Sequence, residues 1–226
     1  MRDVPQSIQV IPRQVIEDQG ARDIEEVLRN VSGVSQQGGD AARQIRIRGL
    51  DATDTTVTDG IGARGGEGQL DFDLSNIEQV EVLKGPSSVL YGSGEPGGVI
   101  NIVTKQPLET PLYEITGTIG NFDRYRGAVD LTGPLNNNKT ILYRLNASYS
   151  NEGSFIDFVE NEEFGIFPVL SFRLGENTTF VLEGRYENQS EILNGDLPVV
   201  GTILSNPLGK VPRDRISLEE QRSGLE

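Results

Sequence analysis

Hydrophobic and polar positions follow two textures along this chain, and the change comes near residue 110. Before it, short alternating runs are mixed with stretches of helical spacing. Residues 7–11 (SIQVI) alternate like a strand that Pro12 stops, and 12–19 suit a short helix closed by Gly20. Residues 22–31 put Ile24, Val27, Leu28 and Val31 at helical spacing, with Asp23 near the start. Chain from 33–34 returns to an extended form, and 36–43 read as a polar loop. In 44–49 (QIRIRG), Ile45 and Ile47 face one side of a strand and Arg46 and Arg48 the other. Residues 55–59 predict a further strand, 60–70 a glycine-rich loop and 74–77 one helical turn.

The segment 78–105 (EQVEVLKGPSSVLYGSGEPGGVINIVTK) organises what precedes it. Val80 and Val82 alternate with polar neighbours, as in a half-buried strand. Gly85-Pro86 breaks the run, and Pro86 opens a helical turn over 87–91 because its missing N–H is not needed there. A glycine-rich link follows, and Val99, Ile100, Ile102 and Val103 restore a strand. Residues 92–97 also spell G-x-G-x-x-G, as do 60–65. A dinucleotide site needs a strand before that motif and a helix after it. Here a β-branched run follows one copy and glycine-rich coil the other, so neither qualifies, and no G-K-[ST] phosphate loop exists.

From 111 onward, alternation recurs about every ten residues. Tyr113, Ile115, Gly117 and Ile119 oppose Glu114, Thr116 and Thr118 in 112–120. Strands of the same kind are predicted over 124–132, 140–150, 164–174 and 178–187. Five such strands suit a soluble sandwich with one wet face, or a membrane barrel with apolar residues outward and polar residues inward. Connectors favour the barrel: 133–139 and 175–177 are tight, whereas 151–163 and the chain after 188 are long.

Composition narrows the function. A formal charge of −14 argues against nucleic acid, which binds through cations. With no cysteine and no histidine, disulfides, thiolate chemistry and Ser–His pairs are absent. No run approaches the ~20 apolar residues of a membrane helix. Asp71 and Asp73, two apart in a predicted loop, read as solvated carboxylates rather than an acid–base pair. The expectation is a protein that is not an enzyme.

Residues 78–105 resemble the plug signature of TonB-dependent outer-membrane receptors, V-E-V-L-K-G-P-x-S-x-L-Y-G followed by P-G-G-x-I-N-I-V-T-K. The form PGG–INIVTKQP, with PQSIQVIPRQVIEDQGA upstream, is most similar to ferric-siderophore receptors. The likeness runs from about Val4 to Arg185. It implies an α+β plug domain, a short mixed sheet with small helices, over 1–107. The first antiparallel strands of a transmembrane β-barrel would follow over 111–226. Five strands do not close a barrel, so the expectation is a fragment that does not insert alone. The secretory signal and the segment that binds TonB would lie outside it.

The resemblance further implies import of ferric siderophores through the outer membrane of a Gram-negative-type bacterium, driven by TonB and its inner-membrane energising complex. Cobalamin, haem or glycan uptake and a soluble periplasmic module are the alternatives. Iron would stay inside its chelator, with no cofactor and no protein metal ligands. Ligand contacts are implied for three apical loops, 36–43, 51–53 and 64–69, and the candidates are Gln36, Arg43, Asp51, Arg64, Gly65 and Gln69. Of these, Arg64, Gln36 and Gln69 would donate to chelate oxygens. Arg48 and Lys84 are implied to pack against barrel-wall glutamates, and Glu78 and Glu81 join them as candidate plug–barrel contacts.

Overall fold

The computed structural model describes residues 7–37, 44–52, 55–61, 73–85, 96–191, 199–207, 209–212 and 214–215. The predicted turn at 87–91 and most of the glycine-rich link lie outside them.

The N-terminal part is built on a four-stranded mixed sheet. Its strands are β1 (Ser7–Pro12), β5 (Thr56–Thr58), β6 (Ile77–Lys84) and β7 (Gly98–Thr104), in the order β1-β6-β7-β5. β1 and β6 pair antiparallel, as do β6 and β7, whereas β5 lies parallel to β7. Helices α1 (Arg13–Gln19) and α2 (Ile24–Leu28) follow β1. A small sheet, β2 (Val34–Gln37), β3 (Gln44–Ile47) and β4 (Leu50–Asp51), packs beside them. The alternation in β6 buries Val80 and Val82, which join Ile11, Ile16, Ile24, Val27, Ile45, Ile47 and Ile100 in one core.

Two local expectations shift. Helix α2 is shorter than 22–31: Asp23 caps its start, its side chain accepting from the Glu26 N–H at 2.7 Å. Glu26 in turn accepts from the Arg22 N–H at 2.9 Å, a reciprocal arrangement close to a capping box. After Leu28 the chain turns with bonds three residues back, from the Arg29 N–H to Glu26 and from the Val31 N–H to Leu28. Arg48 is not on the strand face opposite Ile45 and Ile47. It sits with Gly49 in the two-residue turn between β3 and β4, at φ 55° and 81°. Positive φ at both positions is what a type I′ hairpin turn requires.

The C-terminal part is one antiparallel meander, β8 (Leu112–Gly120), β9 (Arg124–Pro134), β10 (Ile141–Gly153), β11 (Glu160–Arg173) and β12 (Thr179–Glu183), each beside the next. The predicted fifth strand is broken in two, with β13 (Tyr186–Glu191) continuing along β11 in the same register as β12. The gap falls opposite Pro168, which lacks an N–H to donate. Gly184 there donates its own N–H to the Pro168 carbonyl at 2.9 Å. The connector predicted over 151–163 is shorter: β10 and β11 stay paired out to Gly153 and Glu160. Residues 121–123, at the same end, form a tight turn.

The meander has its faces reversed relative to a soluble sheet. Asp130, Thr132, Arg144, Asn146, Ser148 and Ser150 are buried. Tyr113, Ile115 and Ile119, on the other face, are 68%, 82% and 83% exposed. A sandwich would bury this second face against another sheet, and the meander does not.

Two outcomes test these elements. Gly98 sits at φ 149°, and a Cβ there would stand 2.1 Å from the Leu83 carbonyl oxygen. Gly98→Ala is expected to destabilise the plug by about 3 kcal/mol in urea denaturation. Gly117→Ala, whose Cβ meets nothing within 4 Å, leaves the midpoint unchanged. The Arg22 guanidinium, hydrogen-bonded to Glu26, holds that carboxyl below its ordinary 4.5. The resulting stability is present above the ordinary value and lost as pH falls through the lowered one. The urea midpoint therefore drops on acidification below about pH 4.5, and Glu26→Gln flattens that drop.

Candidate functional site

The two parts meet along a seam whose chemistry is ionic. Asp130 projects from β9 onto the buried face and accepts from two cations. Arg144, its neighbour on β10, grips it with both prongs of the guanidinium, Nε to Oδ1 at 2.9 Å and Nη2 to Oδ2 at 2.8 Å. Lys105, immediately after β7, reaches Oδ2 at 2.7 Å. All three side chains are under a tenth exposed. Asn146, with its amide nitrogen turned toward the pair, donates to both Asp130 oxygens at 3.2 Å. The third Arg144 donor, Nη1, is taken by the Gln106 carbonyl at 2.7 Å. Burial pushes the Lys105 ammonium below its ordinary value, against the opposing pull of Asp130.

Further bonds extend this contact along 105–109. The Lys105 N–H donates to the Asn76 carbonyl at 2.9 Å, joining the end of β7 to the helical turn Leu74–Asn76. The Leu108 N–H donates to the Thr132 hydroxyl at 2.9 Å, which itself donates to the Tyr143 carbonyl at 2.8 Å. Gln106 donates to Glu183 on β12 at 3.0 Å. Glu109 pairs with Arg173 at 2.9 Å, and that hydrogen bond and charge hold its exposed carboxyl below the usual range.

A second contact point is Asp73, expected from sequence to be solvated. It is buried instead. Its Oδ1 caps the turn Leu74–Asn76 by accepting from the Ser75 N–H at 2.7 Å, and accepts from Arg126 of β9 at 2.9 Å. Its Oδ2 comes to 3.1 Å of the place a Gly165 Cβ would occupy, so the wall admits the turn because β11 carries glycine there. Arg13 of α1 donates to the Leu74 carbonyl and fastens the same turn from the other side.

The residues singled out from sequence fall in several places. Arg43, Arg64, Gly65 and Gln69 lie outside the described residues. Gln36 is exposed, but in strand β2 rather than a loop, and its amide donates to the Glu25 carbonyl at 2.5 Å. Asp51 is exposed at the end of β4, opposite Arg46. Arg48 and the turn after Lys84 do share a corner, with an Arg48 Nη1 at 3.6 Å from the position of a Gly85 Cβ. Lys84 is buried and donates to Gln9 and Ser32, each at 3.0 Å. Glu78 is exposed on β6, and Glu81 accepts from Asn101 at 2.9 Å and Gln79 at 2.7 Å, all within the plug. The Asp130 cluster was not anticipated. Its signal was the presence of Asp130 and Arg144 at polar-face positions of adjacent strands, after a signature ending in Lys105.

The profile of the TonB-dependent Receptor Plug Domain matches residues 1–99. The metal-pseudopaline receptor CntO of Pseudomonas aeruginosa is 35% identical over 217 residues, which cover 95% of this chain and 30% of that receptor. The crystal structure of the ferric-catecholate import receptor Fiu from Escherichia coli, in its closed form, superposes with a TM-score of 0.79 at 32% identity, over 88% of this chain and 28% of Fiu. The ferripyoverdine receptor of the Pseudomonas aeruginosa outer membrane gives 0.78 at 29% identity, over 83% of this chain and 26% of its own. The chain thus spans less than a third of the length of these relatives. By its plug domain and by the antiparallel strands that continue it, this chain belongs to the TonB-dependent outer-membrane receptors.

Proposed function

We propose that this chain serves in the uptake of ferric siderophores, residues 1–107 as the plug and 111–226 as the first part of the barrel wall. One observation carries the reading: β9 and β10 bury polar side chains on the plug side while the apolar residues of the meander's other face are exposed. That polarity suits hydrocarbon outside and a stoppered lumen inside. Aromatic residues mark both ends of the outward face. Tyr143, Phe172 and Phe180 lie toward the end carrying the turns 135–140 and 174–178. Tyr125, Tyr149, Phe164 and Tyr186 lie toward the other. Such girdles stand at the two membrane interfaces of outer-membrane barrels.

In this reading the chelate binds at the apical loops, where Arg64 and Gln69 donate to its oxygens, Gln36 adds a donor from the end of strand β2, and Arg43, Asp51 and Gly65 line the approach. The iron travels inside the chelate, so the protein supplies recognition and not metal ligands. Arg48, exposed at the β3–β4 turn beside the end of β6, faces carboxylates elsewhere on the wall, while Lys84 next to it is held inside the plug by Gln9 and Ser32. Glu78 and Glu81 sit on the same strand, β6. TonB draws on the plug from the periplasmic side through strand addition, a mode carried by backbone hydrogen bonds.

Two measurements test this. The natural gene that encodes the sequence, expressed in a Gram-negative host stripped of siderophore receptors, is expected to restore accumulation of 55Fe carried by a catecholate or a hydroxamate chelator. The gain disappears in cells without TonB. Uptake of haem or cobalamin alone would assign the receptor to another solute. Separately, Leu145→Lys places a cation on the outward face and is expected to cost about 2–4 kcal/mol of membrane stability. The amount of heat-modifiable receptor in the outer membrane falls accordingly, whereas Thr116→Lys on the opposite face leaves it unchanged.

A further inference from the structure

Building on the import reading, we infer that Lys84 is a positioning residue that latches the first strand of the plug until a chelate binds. Alternation along β6 puts Lys84 on the face that carries Val80 and Val82, so its stem continues the core face and its ammonium is buried. The ammonium donates to Gln9 of β1 and to Ser32 of the turn after α2, each at 3.0 Å. One cation thereby joins three pieces of chain: β1, the end of β6 and the turn that leads into β2.

The ties continue to the end where the chelate is read to bind. Ser32 lies two residues before β2, and Gln36 of β2 donates its amide to the Glu25 carbonyl of α2 at 2.5 Å. The Arg29 N–H goes to Glu26 instead, so Gln36 does at the end of α2 what the helix ladder does within it. A chelate oxygen that takes the Gln36 amide removes this tie between α2 and β2. The turn between them then shifts, and the Ser32–Lys84–Gln9 bridge opens.

Lys84 is the link that yields. Gln9 and Ser32 are neutral acceptors and bring no opposite charge, so burial of this ammonium is less compensated than that of Lys105, which meets the Asp130 carboxylate. The latch also sits where it can act on β1. Ser7, the first residue of that strand, pairs with Lys84, and β1 ends the sheet with β6 as its neighbour. In the import reading TonB draws on chain that precedes β1. Chelate and TonB thus act on opposite ends of one bridge.

Purified full-length receptor is measured for capture by the periplasmic domain of TonB, with and without ferric complexes of a catecholate and of a hydroxamate chelator. The wild type is expected to be captured severalfold more in the presence of the chelate it binds. Lys84→Met keeps the buried stem and removes the donors. Its capture is raised without chelate and rises no further with it, at unchanged chelate affinity. Gln9→Leu leaves the Lys84–Ser32 bond in place and gives the same chelate-independent capture, and combining the two changes adds nothing. Should Lys84→Met not reach the membrane, Gln9→Leu alone decides. Capture that still rises with chelate as in the wild type, or that is lost in both states, overturns the inference and leaves the import reading standing. A wild-type receptor that binds neither chelate removes the import reading itself, and the inference with it.

Discussion

A β-sheet that buries its polar side and shows its apolar side to the surroundings is stable only if something other than water lies outside it. The meander of this chain is such a sheet. Ile115 and Ile119 are more than four-fifths exposed while Thr132 and Asn146 are fully buried. In water, an apolar face of this extent would be driven to fold onto itself, at roughly 25 cal/mol for each Å² removed. Polar side chains buried without partners would cost a further 1–3 kcal/mol each. Hydrocarbon on one side and a polar stopper on the other remove both penalties together. The plug is thus what allows the inner face to be polar, and the fatty core of the membrane is what allows the outer face to be bare.

The seam between plug and wall has to be specific without becoming an ordinary hydrophobic core. The buried cluster of large aliphatic residues belongs to the plug alone, from Ile11 to Ile102. Across the seam, recognition falls to Asp130 and Asp73. A buried carboxylate contributes little net stability, because desolvation offsets attraction, but a misplaced one is costly. That asymmetry gives register: the plug seats where Asp130 meets Lys105 and Arg144, and other placements leave charge unpaired. Arginine at 144 suits this position better than lysine, since its planar fork holds both carboxylate oxygens and still has a donor for the Gln106 carbonyl. Lysine at 105 suits its own, a single flexible charge that arrives from the plug.

How far the chain could be read from its sequence follows from which interactions were local. The run 112–120 was legible to the residue, because its alternation depends on nothing but the two faces of one strand. Residues 160–163 looked like loop since Glu160, Glu162 and Glu163 break the alternation. They are strand nonetheless, paired with 150–153, at a height where neither face has to be apolar. The interruption at Gly184 was invisible for a different reason: its cause, Pro168, lies on the partner strand. Asp73 was misread as solvated because the residue that buries it, Arg126, is 53 positions away. Of the candidate site, Lys84 was expected at the wall but is held inside the plug by Gln9 and Ser32, partners far away in sequence, and the Asp130 cluster depends on a cross-strand register that periodicity does not contain.

Size matters at the seam as much as charge. Asp73 approaches the wall where β11 carries Gly165, and neighbouring polar-face positions on β9 and β10 hold Ala128, Ser148 and Ser150. Small residues bring the wall backbone close to the plug, so a short aspartate reaches the Arg126 guanidinium without a longer arm. A bulky residue at Gly165 would meet both the Phe167 ring and Asp73, and would push the turn Leu74–Asn76 off the wall. That turn feeds directly into β6, and its Asn76 carbonyl holds the end of β7, so a displacement there would be carried into the two central strands of the plug sheet. The fit of one glycine on the wall is therefore coupled, through a single capped turn, to the geometry of the strands on which the plug is built.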